Sequence, residues 1–100
     1  MRTREEFIKS LLEEGYEYWG GGEEVEIYGR TTYNGGRTDI GTEAEDWEEW
    51  HVYKDKAIHK FGTNRSVPGW ALCPACGTWY QHDEEELHED CKPEVVYFSP

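Results

Sequence analysis

The chain has 100 residues, 22 acidic against 10 basic, with a net charge of −12 and a pI near 4.6. One small domain, 1–100, is expected at this length, and no apolar run approaches the roughly 18–20 residues of a membrane span. The acid excess argues against direct contact with a nucleic-acid backbone or an anionic membrane, both of which call for positive surface.

Leu, Ile, Val and Phe total only 16 residues, which together with the charge is a flag for disorder. The 5 Trp and 7 Tyr answer part of it, because each buried aromatic removes roughly 150–250 Å² from water. The flag then contracts to residues 20–24, 35–46 and 62–69. The N-terminal stretch interleaves its apolar residues with charge and holds no signal-peptide core. Three cysteines cannot all pair within one chain. Both point to a reducing, cytoplasmic setting.

In chain order, residues 3–14 predict a helix. Thr3 and Glu6 make a capping box, Phe7, Ile8, Leu11 and Leu12 share a face, and Gly15 stops the helix. Residues 16–61 predict antiparallel strands built from Tyr16, Tyr18, Val25, Ile27, Tyr28 and Tyr33. Gly20, Gly21 and Gly22 read as a turn, and Asn34-Gly35-Gly36 as the tip of a hairpin. A second hairpin flanks Lys54-Asp55-Lys56. One register pairs Trp50 with Phe61 and Val52 with His59; the other pairs His51 with His59 and Val52 with Ile58. Residues 62–70 read as a connector, 71–98 as a metal-binding module, and Val95–Phe98 as a strand that returns to the sheet edge. The fold class is α+β: an N-terminal helix, an antiparallel sheet of four or five strands, and a C-terminal zinc module with a short helix.

The strongest local signal is Cys73-Pro74-Ala75-Cys76-Gly77, followed 11 residues later by His88-Glu89-Asp90-Cys91. Zinc takes four ligands in a tetrahedron, and thiolates with imidazole suit it. Residues 83–91 are helix formers up to the final cysteine, and the i, i+3 spacing of His88 and Cys91 places both on one helical face. His82 is a competitor for His88, but only His88 pairs with Cys91 at that spacing. Four protein ligands leave no open position, so one structural Zn²⁺ is the expected cofactor.

This segment, 73–91, resembles a CCHC zinc finger built on a zinc-ribbon or treble-clef knuckle. The resemblance implies Cys73, Cys76, His88 and Cys91 as the ligands. The segment departs from the two-Cys, two-His finger, whose spacings are about 12 and 3–5 residues. It also carries Asp83, Glu84, Glu85, Glu86, Glu89 and Asp90 where a DNA-reading helix is basic.

No G-x-S-x-G, H-E-x-x-H or P-loop motif is present, so no catalytic residue is assigned. His51 and His59 would make an acid–base pair or a second metal site only in the second hairpin register. The charge is concentrated in two base-free stretches, 39–49 and 83–90. Carboxylates there stand beside Trp47, Trp50, Trp79 and Tyr80 and suit arginine-rich surfaces. Asp39, Glu43, Glu45, Asp46, Trp47, Glu48, Glu49, Asp83, Glu84, Glu85 and Glu86 are the candidate partner-binding residues. The expected function is that of a non-catalytic acidic protein-binding protein engaging a basic protein surface. Size and composition resemble those of small acidic phage and plasmid proteins that mimic nucleic acid to inhibit restriction or CRISPR effectors. An adaptor or assembly subunit, with homo-oligomerisation, and a metal-dependent enzyme using His51, His59 or His82 are the other classes.

Overall fold

The computed structural model describes residues 2–37 and 43–99. It is an α+β protein. Helix α1 (Arg4–Glu13) begins at Thr3, whose hydroxyl oxygen accepts the Glu6 backbone N–H at 3.2 Å, and ends before Gly15 at φ 97°. That glycine takes the left-handed conformation a side chain would resist. Strands β1 (Glu17–Gly21), β2 (Glu26–Arg37), β3 (Glu43–Val52), β4 (Lys56–Thr63) and β7 (Val95–Tyr97) form an antiparallel sheet in the order β1-β2-β3-β4-β7. Strands β5 (Trp70–Leu72) and β6 (Trp79–Gln81) form a separate two-stranded ladder, and a 3₁₀ helix follows at His82–Leu87.

Several elements differ from expectation. Gly20 and Gly21 are not the turn. They lie in β1 opposite Ile27 and Glu26, past a bulge at Trp19, and the turn is closed by the Gly22 N–H on the Val25 carbonyl at 2.8 Å. Gly21 is required there, since a Cβ would strike the Val25 carbonyl. Asn34-Gly35-Gly36 is not a hairpin tip either: β2 runs through it to Arg37, pairing Asn34 with Glu45 and Gly35 with Ala44. The stretches expected to be loose, 20–24, 35–46 and 62–69, supply strand residues in all three cases, and 38–42 lies outside the described residues.

The second hairpin takes neither of the two expected registers. Its turn is Lys54-Asp55, closed by Tyr53 N–H to the Lys56 carbonyl at 2.7 Å, so Trp50 faces His59, His51 faces Ile58 and Val52 faces Ala57. A one-residue slip exchanges the faces of a strand. His51 and His59 therefore point to opposite sides of the sheet, and the pair considered for catalysis or a second metal does not form.

One face of the sheet is covered. Phe7 and Leu11 of α1 pack on Tyr16, Tyr28, Trp50, Val52, Ala57 and Phe98, with Ile8 and Val96 against this core. Phe7 meets Trp50 edge-on at 5.0 Å. Leu12 remains half exposed, so the helical stripe is narrower than its sequence. Further along the same face, the knuckle at Gly77 lies on the Phe61 ring. The returning tail and the knuckle together shield the β4 edge: β7 pairs with it, then Glu94 of the tail and Pro74 of the knuckle accept the His59 and Phe61 N–H groups, both at 2.9 Å. Among the described residues no helix packs on the other face. There the Trp19 and Trp47 indoles occupy the space a Cβ would need on Gly29 and Gly62. Among the described residues no helix is long and apolar enough to cross a membrane.

Candidate metal centre

Three cysteines and one histidine converge at the end of the covered face. The Cys73–Cys76 knuckle is a tight turn, with Gly77 N–H on the Cys73 carbonyl at 2.9 Å and Cys73 N–H on the Thr78 carbonyl at 3.0 Å. Gly77 sits at φ 74°, again a conformation that favours glycine. The second pair comes from a turn rather than an α-helix. The 3₁₀ helix ends at Leu87, His88 N–H bonds to the Glu85 carbonyl at 3.0 Å, and Cys91 N–H to the His88 carbonyl at 3.3 Å. The i, i+3 spacing works because a 3₁₀-type turn also aligns residues three apart.

The ligand atoms of Cys73, Cys76, His88 and Cys91 all lie within 4.8 Å of one another, a group that can hold a metal ion. His88 Nδ1 is 3.5 Å from the Cys76 sulfur and 3.6 Å from that of Cys91. Tyr80 stacks on the His88 ring at 4.4 Å, which fixes its plane. His82 is exposed and outside the group; its backbone N–H bonds to the Gly69 carbonyl at 3.1 Å. The thiols differ in acidity. Hydrogen bonding to Thr78 leads the effects that lower Cys76 to about 6, whereas burial, then Cys73 and Cys76 alongside, push Cys91 up to about 11. One thiolate forms readily here, and accumulating more negative charge calls for a cation.

The acidic candidates fall into two groups. Asp39 lies outside the described residues, and Glu43 opens β3. Glu45 is held by its backbone: its N–H donates to Asn64 Oδ1 at 2.7 Å, and its carbonyl accepts Asn64 N–H at 3.1 Å. Asp46 binds Arg65 through both carboxylate oxygens and accepts Thr63 Oγ1. Glu48 is only 8% exposed and accepts the Tyr16 hydroxyl and the Arg30 guanidinium, with His59 Nε2 at 3.4 Å. Glu49 accepts Trp47 Nε1 at 2.9 Å and bonds His51 Nε2 at 2.7 Å on the open face. Glu48 is therefore a core residue rather than a surface one, and Trp47 faces away from the core that holds Trp50. Asp83, Glu84, Glu85 and Glu86 are all exposed on the 3₁₀ helix.

Two clusters were not foreseen. One is the network of buried Tyr16, Glu48 and His59 with the partly exposed Arg30, signalled only by period-two alternation, which places Glu48 in line with Trp50 and Val52. The other is Arg65, whose guanidinium carbon lies 4.5 Å from the Tyr33 ring centre and 4.8 Å from that of Trp79. No protein-family model matches the chain, and no curated protein or solved structure matches it either.

Proposed function

We propose that the three cysteines and His88 hold one structural zinc ion, and that the chain is a non-catalytic binding protein for a basic protein surface. The ligand geometry carries the zinc assignment. Tetrahedral zinc with Zn–S of about 2.3 Å and Zn–N of about 2.0–2.1 Å has sulfur–nitrogen edges of roughly 3.6 Å. The His88 Nδ1 distances of 3.5 and 3.6 Å match those edges. Thiolates and imidazole suit zinc and do not suit Mg²⁺ or Ca²⁺, which take oxygen ligands. Four protein ligands close the coordination sphere, which is the structural rather than the catalytic arrangement. Reduced thiolates fit a cytoplasmic setting.

Support for a basic partner is the charge. Three thiolates and one Zn²⁺ take −12 to about −13, so the metal does not relieve it. The specific form is nucleic-acid mimicry, with carboxylates occupying protein sites that otherwise take phosphates. Such binding weakens steeply with salt and is displaced by duplex DNA. Metal analysis of the purified chain tests the zinc assignment. We expect one zinc per chain, lost in Cys76→Ser; no zinc in the parent overturns it, and more than one tightly bound zinc reopens the metalloenzyme class.

A second reading, an adaptor or assembly subunit, draws on the sheet face opposite α1 and on Trp19 and Tyr97, which remain exposed. Light scattering on the eluted protein separates the two: a stable homo-oligomer favours assembly, a monomer the free binding protein.

A further inference from the structure

The two acidic stretches differ in how much of their charge is already spent. Asp46 and Glu48 are in salt bridges with Arg65 and Arg30, and Glu49 contacts His51. Among the described residues Asp83, Glu84, Glu85 and Glu86 form no salt bridge, although all four are exposed. Near the start of their helix lies a groove of about 210 Å³ lined by Arg65, Val67, Trp70 and Trp79. The register of β5 and β6 pairs Trp70 with Gln81 and Leu72 with Trp79, which sets both indoles on one face of the ladder. Trp70 is 42% exposed and Val67 39%. The bond from His82 N–H to the Gly69 carbonyl pins the start of the acidic 3₁₀ helix against the residue preceding Trp70. The groove and its exposed Trp70 thus lie next to the start of a helix whose four carboxylates form no salt bridge, Glu84 alone accepting a backbone N–H, that of Gln81.

The chain's own Arg65 shows what these rings accept. Its guanidinium carbon lies over both the Tyr33 and the Trp79 ring, and its charge is paired with Asp46. The groove thus gains no net positive charge from it, and Trp70 offers a further ring. We propose that this groove docks an arginine-rich segment of a partner protein. One guanidinium lies on Trp70, and neighbouring basic side chains pair with Asp83–Glu86. The inference rests on the basic-partner reading and gives it a place: the outer face of the metal module rather than residues 39–49.

The test uses the zinc-loaded full chain and a fluorescently labelled nona-arginine peptide, read by anisotropy at low and high salt. Trp70→Ala and the pair Glu85→Lys with Glu86→Lys should each weaken binding about fivefold or more. The pair Glu23→Lys with Glu24→Lys makes the same charge change in the β1–β2 turn, at the opposite end of the sheet, and should weaken it less than about twofold. If Trp70→Ala binds as the parent does, or the Glu23, Glu24 pair weakens binding as much as the Glu85, Glu86 pair, attraction is diffuse. The groove is then overturned while the basic-partner reading stands. Failure of the zinc-loaded parent to bind the peptide overturns both. Circular dichroism and zinc content check that the variants fold. The Glu85, Glu86 pair is exposed and outside the ligand set, so it decides the matter if Trp70→Ala does not fold.

Discussion

Glu48 sits in one of the most acidic stretches of the chain, yet its side chain points into the core. A carboxylate leaves water only where bonds replace it, and the Tyr16 hydroxyl and Arg30 guanidinium do so. Burial alone would raise its pKa; the bonds from Tyr16 and Arg30 outweigh it and hold Glu48 below its usual 4.5. Asp46 is likewise lowered, burial being outweighed by Arg65 and Thr63. Tyr16 is pushed up to about 12 by burial and then by Glu48. A carboxyl whose pKa is lower in the folded than in the unfolded chain stabilises the fold above its unfolded pKa. It loses that contribution as pH falls through the folded value. We therefore expect urea midpoints to fall as pH drops below about 4.5, with a shallower acid limb in Glu48→Gln. At neutral pH that variant should lose about 1–3 kcal/mol, at the lower end because Arg30 is 40% exposed and can return to water. A parent-like midpoint and acid limb would show that the network contributes nothing.

Local sequence decides an element when neighbouring residues agree. Helix α1 has its cap, its apolar stripe and its stop glycine between Thr3 and Gly15, and the cap, the glycine and all of the stripe but Leu12 are used. Residues 83–91 are helix formers by propensity, but acids three and four apart repel one another. Leu87, the only large apolar side chain there, faces water. With no stripe to bury, the segment settles as a 3₁₀ turn, and the ligands it carries would hold it through the metal. The β5–β6 ladder is three residues a side, too short to be stable alone. Chelation of the zinc, or Cys76→Ser, should therefore abolish hydrogen-exchange protection over 71–91 while β2, β3 and β4 keep theirs. Unchanged protection and an unchanged melting temperature without metal would sink the structural role.

At the scale of the molecule, both α1 and the metal module cover the same face of the sheet, and a net −12 is spread over a small body. Like charge at that density opposes compaction, and salt screens it. Among the described residues three arginine–carboxylate pairs, with two His–Glu contacts beside them, oppose this trend, but most are partly exposed and individually weak. The melting temperature should thus rise with sodium chloride at neutral pH. A fall would mean that the internal pairs, Asp46–Arg65 and Glu48–Arg30 above all, outweigh the net repulsion.

The sequence by itself determined the α+β class, helix α1, the returning Val95–Tyr97 strand and the four residues of the candidate metal centre. Each rests on spacing along the chain: a helical period, an apolar run, a cysteine knuckle and a matching pair. Only the tertiary structure decided the register of the Lys54-Asp55 hairpin, because a one-residue slip is nearly silent in composition yet exchanges faces. That register separated His51 from His59. The length of β2 through Asn34-Gly35-Gly36 was decided the same way, by the partners that β3 supplies. The net charge read as a single property of the chain. In the fold it divides into carboxylates turned inward onto Arg30 and Arg65 and carboxylates left on the surface at 83–86. Whether a carboxylate meets water or an arginine depends on strands far apart in sequence, which no local pattern encodes.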